Sequence, residues 1–276
     1  MNSRCWAAEQ EAADNDQVSR VVRSQAELES ALGQFTSEEA WLLKMEFSMS
    51  GRDRLTGTGS QLTEAQSGWV RKRLKSDQPL ILEKRLEGLQ ELGAQFGIPS
   101  SGTPVFSGLV PMLTDTTGRY AGSWLLDPQQ LIDGWQTTLN QLENVCLKLQ
   151  QSGYFGRVGI DVMQYRSADG RLKMRLYQDV NARFTMGYLT CWWRRYLQPG
   201  EVGCWLHLGK RCESKQKLSE WWEAKIDQCG AEGCRLIRTA PLMHAGEIVQ
   251  HQTGLLIAAN EQLAREQVQR LLAPEN

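Results

Sequence analysis

The sequence predicts a mixed α+β fold, and three observations carry that prediction. Segments with apolar residues at helical spacing alternate along the chain with short apolar runs of strand length. The strand-like runs "YFGRVGIDVMQYRS" and "RLKMRLYQDVNARF" are joined by an Asp169-Gly170 turn, the signature of an antiparallel hairpin. Composition, with 41 % hydrophobic and 23 % charged residues over 276 positions, is that of an ordinary globular chain. Helices interleaved with hairpins, rather than a regular strand–helix repeat, select the α+β class.

The elements follow in order. Residues 25–35 place Leu28, Leu32 and Phe35 on one side of a helix. "EAWLLKMEF" is a short apolar strand, and "SMSGRDRLTGTGSQ" after it is a glycine- and serine-rich loop. Thr63, with Glu64 beside it, opens a helix over "EAQSGWVRKRLKS". "PLILEKRLE" is a buried strand turning polar at Glu83, and "GLQELGAQFGI", "GTPVFSGLVPML" and "RYAGSWLL" are successive strands. The clearest helix is "DPQQLIDGWQTTLNQLENVCLKLQQSG", with Asp127 as cap, Pro128 at its first position and Gly153 as its stop. After the long hairpin, the pattern past Gly187 is weak until a final helix, "NEQLAREQVQRLL".

A net charge of −1 gives no field to recruit nucleic acid or an anionic membrane, and no apolar run reaches a membrane span. The first residues are polar and acidic, without the apolar stretch of a signal peptide, so they predict a flexible tail and a cytoplasmic protein. The seven cysteines lack C-x₂-C pairing, and reduced thiols are preferred over a zinc site from Cys204, Cys212, Cys229 and Cys234. His207, His244 and His251 form no catalytic pattern and are read as structural. Arg194 and Arg195 beside Trp192 and Trp193 suit an edge surface, an acceptor site or a partner contact.

The chemistry concentrates in the hairpin. Side chains at alternate strand positions share a face, so Asp179, Asn181 and Arg183 present an acid, an amide and a guanidinium together. Asp161 interrupts the apolar run "VGIDVM", where an unpaired charge is costly, and the hairpin lets it meet Asp179 across neighbouring strands. Two carboxylates and an amide oxygen are hard ligands suited to Mg²⁺. Lys44 ends a strand ahead of Ser50, Gly51, Arg52 and Arg54, a loop able to fold amides and cations over a polyphosphate. "ILEKRLE" offers extended backbone at Lys84 to Leu86 for an adenine edge, with Glu83 or Glu87 for a ribose hydroxyl or amino group. Neither G-x-x-x-x-G-K-[ST] nor G-x-G-x-x-G occurs, which excludes the P-loop and Rossmann readings.

Lys44, the serine- and glycine-rich loop, "LEKRLE" and "GIDV…DG…YQDVNARFTMG", in that order, resemble the ATP-grasp superfamily over residues 20–190. "EKRL" is similar to the adenine hinge of biotin carboxylase, "DVNAR" to the metal-binding E-x-N-x-R of that branch, and "GIDV" to D-alanine–D-alanine ligase. The resemblance implies two α+β lobes with antiparallel sheets enclosing ATP, and a ligase joining a carboxylate to an amine through an acyl-phosphate. It implies Lys44 on the α- or β-phosphate, with Ser50, Gly51 and Arg52 in a closing loop. Glu83, Lys84 and Leu86 would hold adenine, and Glu87 the ribose. Asp161, Asp179 and Asn181 would hold Mg²⁺, and Arg183 would steady the acyl-phosphate or the carboxylate. The same fold admits an ATP-dependent kinase and a non-catalytic nucleotide-binding scaffold.

This sequence departs from the superfamily in three places. Asp179 stands where a glutamate is usual, and the span from Asp161 to Asp179 is longer. Few residues precede Lys44, so the usual N-terminal domain and its phosphate-binding lysine are absent from this stretch; Arg20 or Arg23 is the candidate replacement, and a protein partner the candidate source of the missing part. The expected organisation is a tail over residues 1–18, a smaller lobe over 19–86 and a larger lobe over 87–276.

Overall fold

The computed structural model describes residues 3–13, 18–47, 54–115, 119–167, 169–209 and 212–273. The chain opens with helix α1 (Arg4–Ala13), strand β1 (Ser19–Val22), α2 (Gln25–Leu32), β2 (Ala40–Met45), β3 (Arg54–Thr58), α3 (Glu64–Leu74) and β4 (Leu80–Lys84). Strands β5 (Glu87–Ile98), β6 (Val105–Thr114) and β7 (Tyr120–Leu125) lead into the long helix α4 (Pro128–Gln151) and the hairpin β8 (Gly156–Arg166) and β9 (Leu172–Asn181). The remainder is α5 (Met186–Trp193), β10 (Val202–Gly209), α6 (Lys215–Ala231), β11 (Arg235–Arg238), a hairpin of β12 (Met243–His244) and β13 (Glu247–Ile248), β14 (His251–Ala258) and α7 (Glu261–Leu272).

Two compact units divide these elements: residues 1–106 with 137–185, and residues 107–136 with 186–276. The chain leaves the first unit and returns to it, so the contiguous division at residue 86 expected from sequence is not the observed one. The expected tail is also corrected, because residues 4–13 form α1 and bury Cys5, Ala7, Ala8 and Glu11. Strand β3 occupies part of the stretch expected to be all loop.

In the first unit, an antiparallel sheet runs in the order β1-β4-β2-β3. Its strands alternate in the period-two manner. Trp41, Leu43, Leu80 and Leu82 face a core completed by Leu28 and Leu32 of α2 and Val70 of α3. Helix α3 begins as its sequence predicts: Thr63 accepts from the Gln66 N–H, and the Gln66 side chain accepts from the Thr63 N–H, a complete capping box. The same unit holds the antiparallel run β5-β8-β9. Asp127 caps α4 by accepting from the Gln129 N–H at 2.8 Å, and Gly153 ends it at φ +87°.

The second unit holds the antiparallel order β6-β7-β10-β14-β11. One face packs Cys204, Leu206, Leu208 and Leu256 against Leu218 and Trp222 of α6 and Ala264 and Val268 of α7. The other buries Leu125, Trp205, Leu255 and Ile257 beneath Leu189 and Trp193 of α5. Much of the tryptophan content is therefore core. No helix among the described residues is long and apolar enough to cross a membrane.

Candidate functional site

The described candidates for nucleotide, metal and acyl-phosphate binding belong to the first unit, and two groups of them assemble. The first lies on the four-stranded sheet. Leu42 pairs with Glu83 and Lys44 with Ile81 across β2 and β4, so Lys44 and Glu83 share the face opposite the Trp41 and Leu43 core. Lys44 Nζ reaches Glu83 Oε2 at 2.7 Å, and the same oxygen accepts from Arg175 on β9 at 3.0 Å. Arg175 also donates to both oxygens of Glu11 on α1, at 2.7 and 3.4 Å, and Ser19 donates to Glu11 as well. Burial alone would raise the Glu83 carboxyl, but Arg175 and Lys44 outweigh it and hold the group at about 2. Arg175 is in turn held above its ordinary value by Glu83 and Glu11, against its own burial.

The adjoining hinge residues diverge. Lys84 points from the other face of β4 and pairs with Glu39. Its N–H donates to the Val18 carbonyl at 3.0 Å, and the Arg85 N–H donates to Ala40 at 2.8 Å. Leu86 is half-buried and Glu87 is exposed at the start of β5. Ser50, Gly51 and Arg52 lie outside the described residues.

The second group is built by the hairpin. Asp161 stands directly opposite Asp179, and Gly159 opposite Asn181, so both acids and the amide share one face of β8 and β9. Asn181 Nδ2 donates to Asp161 Oδ2 at 3.3 Å, and Arg183 donates to Asn181 Oδ1 at 3.0 Å. Burial first, then the charges of Asp179 and Glu91, push the Asp161 carboxyl well above the usual carboxylate range, with Arg183 and Asn181 acting in the other direction. A carboxylate so destabilised as an anion, beside a second one and an amide oxygen, is a hard-oxygen donor set that a divalent cation would relieve. The residues fit Mg²⁺ on these grounds.

Two contributors escaped sequence reasoning. Glu91 on β5 shares the face of Asp161, since Gly93 pairs with Asp161 and Glu91 with Met163. The alternation of Glu91, Gly93 and Gln95 in "QELGAQ" is the signal that marks it. Arg4 is the other, donating to Asp179 Oδ2 at 3.3 Å and to the Met45 carbonyl at 3.1 Å. The expected substitutes lie elsewhere: Arg20 contacts Gln34 and Arg23 contacts Glu9. In the second unit, His207 stands between the rings of Tyr120 and Trp205, and Arg195 stacks on Trp192 at 3.9 Å.

No family model and no curated protein matches the sequence. Solved structures do match. N5-carboxyaminoimidazole ribonucleotide synthetase in an ADP complex aligns at TM-score 0.58 and 14 % identity over 98 % of this chain and 71 % of that one. The enzyme of Aspergillus clavatus, with ADP and aminoimidazole ribonucleotide, aligns at 0.57 and 12 % over 98 % and 72 %. The biotin carboxylase domain of Hydrogenobacter thermophilus 2-oxoglutarate carboxylase, with MgADP and bicarbonate, aligns at 0.57 and 11 % over 99 % and 65 %. The chain therefore has the ATP-grasp fold. Its structural neighbours are synthetases and carboxylases of that fold.

Proposed function

We propose that this chain binds Mg-ATP and ligates a small-molecule carboxylate to an amine. The observation carrying the proposal is the convergence of Asp161, Asp179, Asn181 and Arg183 on one face of the β8–β9 hairpin. The fold is one whose neighbours include nucleotide complexes of synthetases and carboxylases, which supports the same reading.

In this reading Asp161, Asp179 and Asn181 hold Mg²⁺, which when bound neutralises charge on the phosphates. Lys44 binds the α- or β-phosphate after leaving Glu83, and Glu83 stays fixed by Arg175. Adenine lies along Lys84 to Leu86, with Glu87 at the ribose. Arg183 steadies the acyl-phosphate or the attacked carboxylate. Phosphoryl transfer asks for positioning and charge neutralisation rather than a covalent nucleophile, which matches a site built of cations and hard ligands.

Titration calorimetry with a non-hydrolysable ATP analogue tests this directly, with and without Mg²⁺. Binding is expected to require Mg²⁺ and to be abolished in Asn181→Ala and Asp179→Ala. A folded protein giving no heat at millimolar nucleotide would refute the proposal. ADP and phosphate released only when an amine is supplied would identify the ligase; a phosphorylated product would identify a kinase instead.

A further inference from the structure

The ion pairs at the site's acids fall into two sets, which differ in how readily a ligand could break them. Arg175, Glu11 and Glu83 have side chains at most 4 % exposed, so removing one partner strands a buried charge. Arg4 and Asp179 are 14 % and 28 % exposed and meet at 3.3 Å, a longer and more accessible pair than those of Arg175. Arg4 is the first residue of α1, and it ties that end of the helix to a proposed metal ligand and to the Met45 carbonyl next to Lys44. Trp6, half a turn on, stands edge-on to Tyr177 of β9.

We propose that Arg4 is a placeholder cation for the divalent metal, so that metal binding at Asp179 unlatches the start of α1. The inference rests on the metal-site reading above. With no metal present, the guanidinium is the counter-charge of Asp179. A divalent ion supplies more charge at the same oxygen, takes Asp179 and displaces Arg4. The helix end is thereby made responsive to metal, while Glu11 and Arg175 keep the rest of α1 in place.

Mn²⁺ serves as the probe, with free ion counted by electron paramagnetic resonance in the absence of nucleotide. Arg4→Gln is expected to bind Mn²⁺ about five-fold more tightly than the unmodified chain, the worth of one weak ion pair. Because loss of a nearby positive charge would also tighten binding, hydrogen exchange supplies the deciding readout. Mn²⁺ added to the unmodified chain should speed exchange of the α1 amides, and in Arg4→Gln, already fast, it should not. Tight Mn²⁺ binding with unchanged α1 exchange would overturn the latch and leave the metal site standing. Failure of both proteins to bind Mn²⁺, with Asp179→Ala behaving identically, would overturn the metal site and the latch together.

Discussion

At the scale of single residues, the buried charges sort into two kinds by how they are partnered. Arg175 sits between Glu11 and Glu83 and joins α1, β4 and β9 through one guanidinium, while Ser19 of β1 donates to Glu11. Asp161 is the opposite case, an acid whose burial is opposed only by Asn181 and Arg183. Its folded value lies above the unfolded one near 3.9, so its stabilising contribution is complete below about pH 4 and is lost as pH rises through the folded value. Asp161→Asn should therefore melt higher than the unmodified chain at neutral pH, with the difference closing toward pH 4. A melting-temperature series across pH checks this; a variant that melts lower at neutral pH would contradict it. The same substitution should weaken metal binding, the pattern expected where a site is kept at the expense of stability. The acid, amide and guanidinium at alternate positions of "DVNAR" were legible in the sequence because strand parity is local. Arg175 was not, because its partners lie 164 and 92 residues away.

At the scale of elements, the loop after β9 shows how a strand positions a catalytic candidate without touching it. Gly159 faces Asn181, and a Cβ there would stand 2.6 Å from Thr185 Cγ2 and 2.9 Å from its hydroxyl. The missing side chain admits Thr185, which donates to Gln95 at 2.5 Å and so pins the segment carrying Arg183. Gly159→Ala should push that segment off β8, destabilising by about 1–3 kcal/mol and weakening nucleotide binding while far-ultraviolet dichroism stays the same. Gly159→Ala with Thr185→Ala removes the closest clashing atoms and should restore part of the affinity; unchanged affinity in the single variant would show that Arg183 is positioned some other way. Elements whose apolar period and caps agree, α3 and α4 among them, could be read from sequence alone. Helix α1 could not. It buries alanines, a cysteine and a glutamate, a pattern with no apolar stripe, and its glutamate is tolerable only because Arg175 meets it.

For the whole molecule, the order Lys44, "EKRL", "GIDV" and "DVNAR" was enough to indicate the ATP-grasp fold, since each motif belongs to a different strand of one architecture. The division into units was not legible, because residues 107–136 leave the first unit and residue 137 returns to it, and no composition change marks either crossing. Each unit has its own core, and the described nucleotide and metal candidates lie in the first. Ligand stabilisation should therefore enter through that unit. At a free Mg-nucleotide concentration a hundred times its dissociation constant, linkage supplies about 2.7 kcal/mol, enough to raise the melting temperature of a unit this size by roughly 5–10 °C. Scanning calorimetry with the non-hydrolysable analogue should show that shift with Mg²⁺, and little of it in Asp179→Ala. An equal shift without Mg²⁺ would mean the nucleotide is held by cations alone, and the role of the β8–β9 acids would then have to be sought in the substrate rather than in the metal.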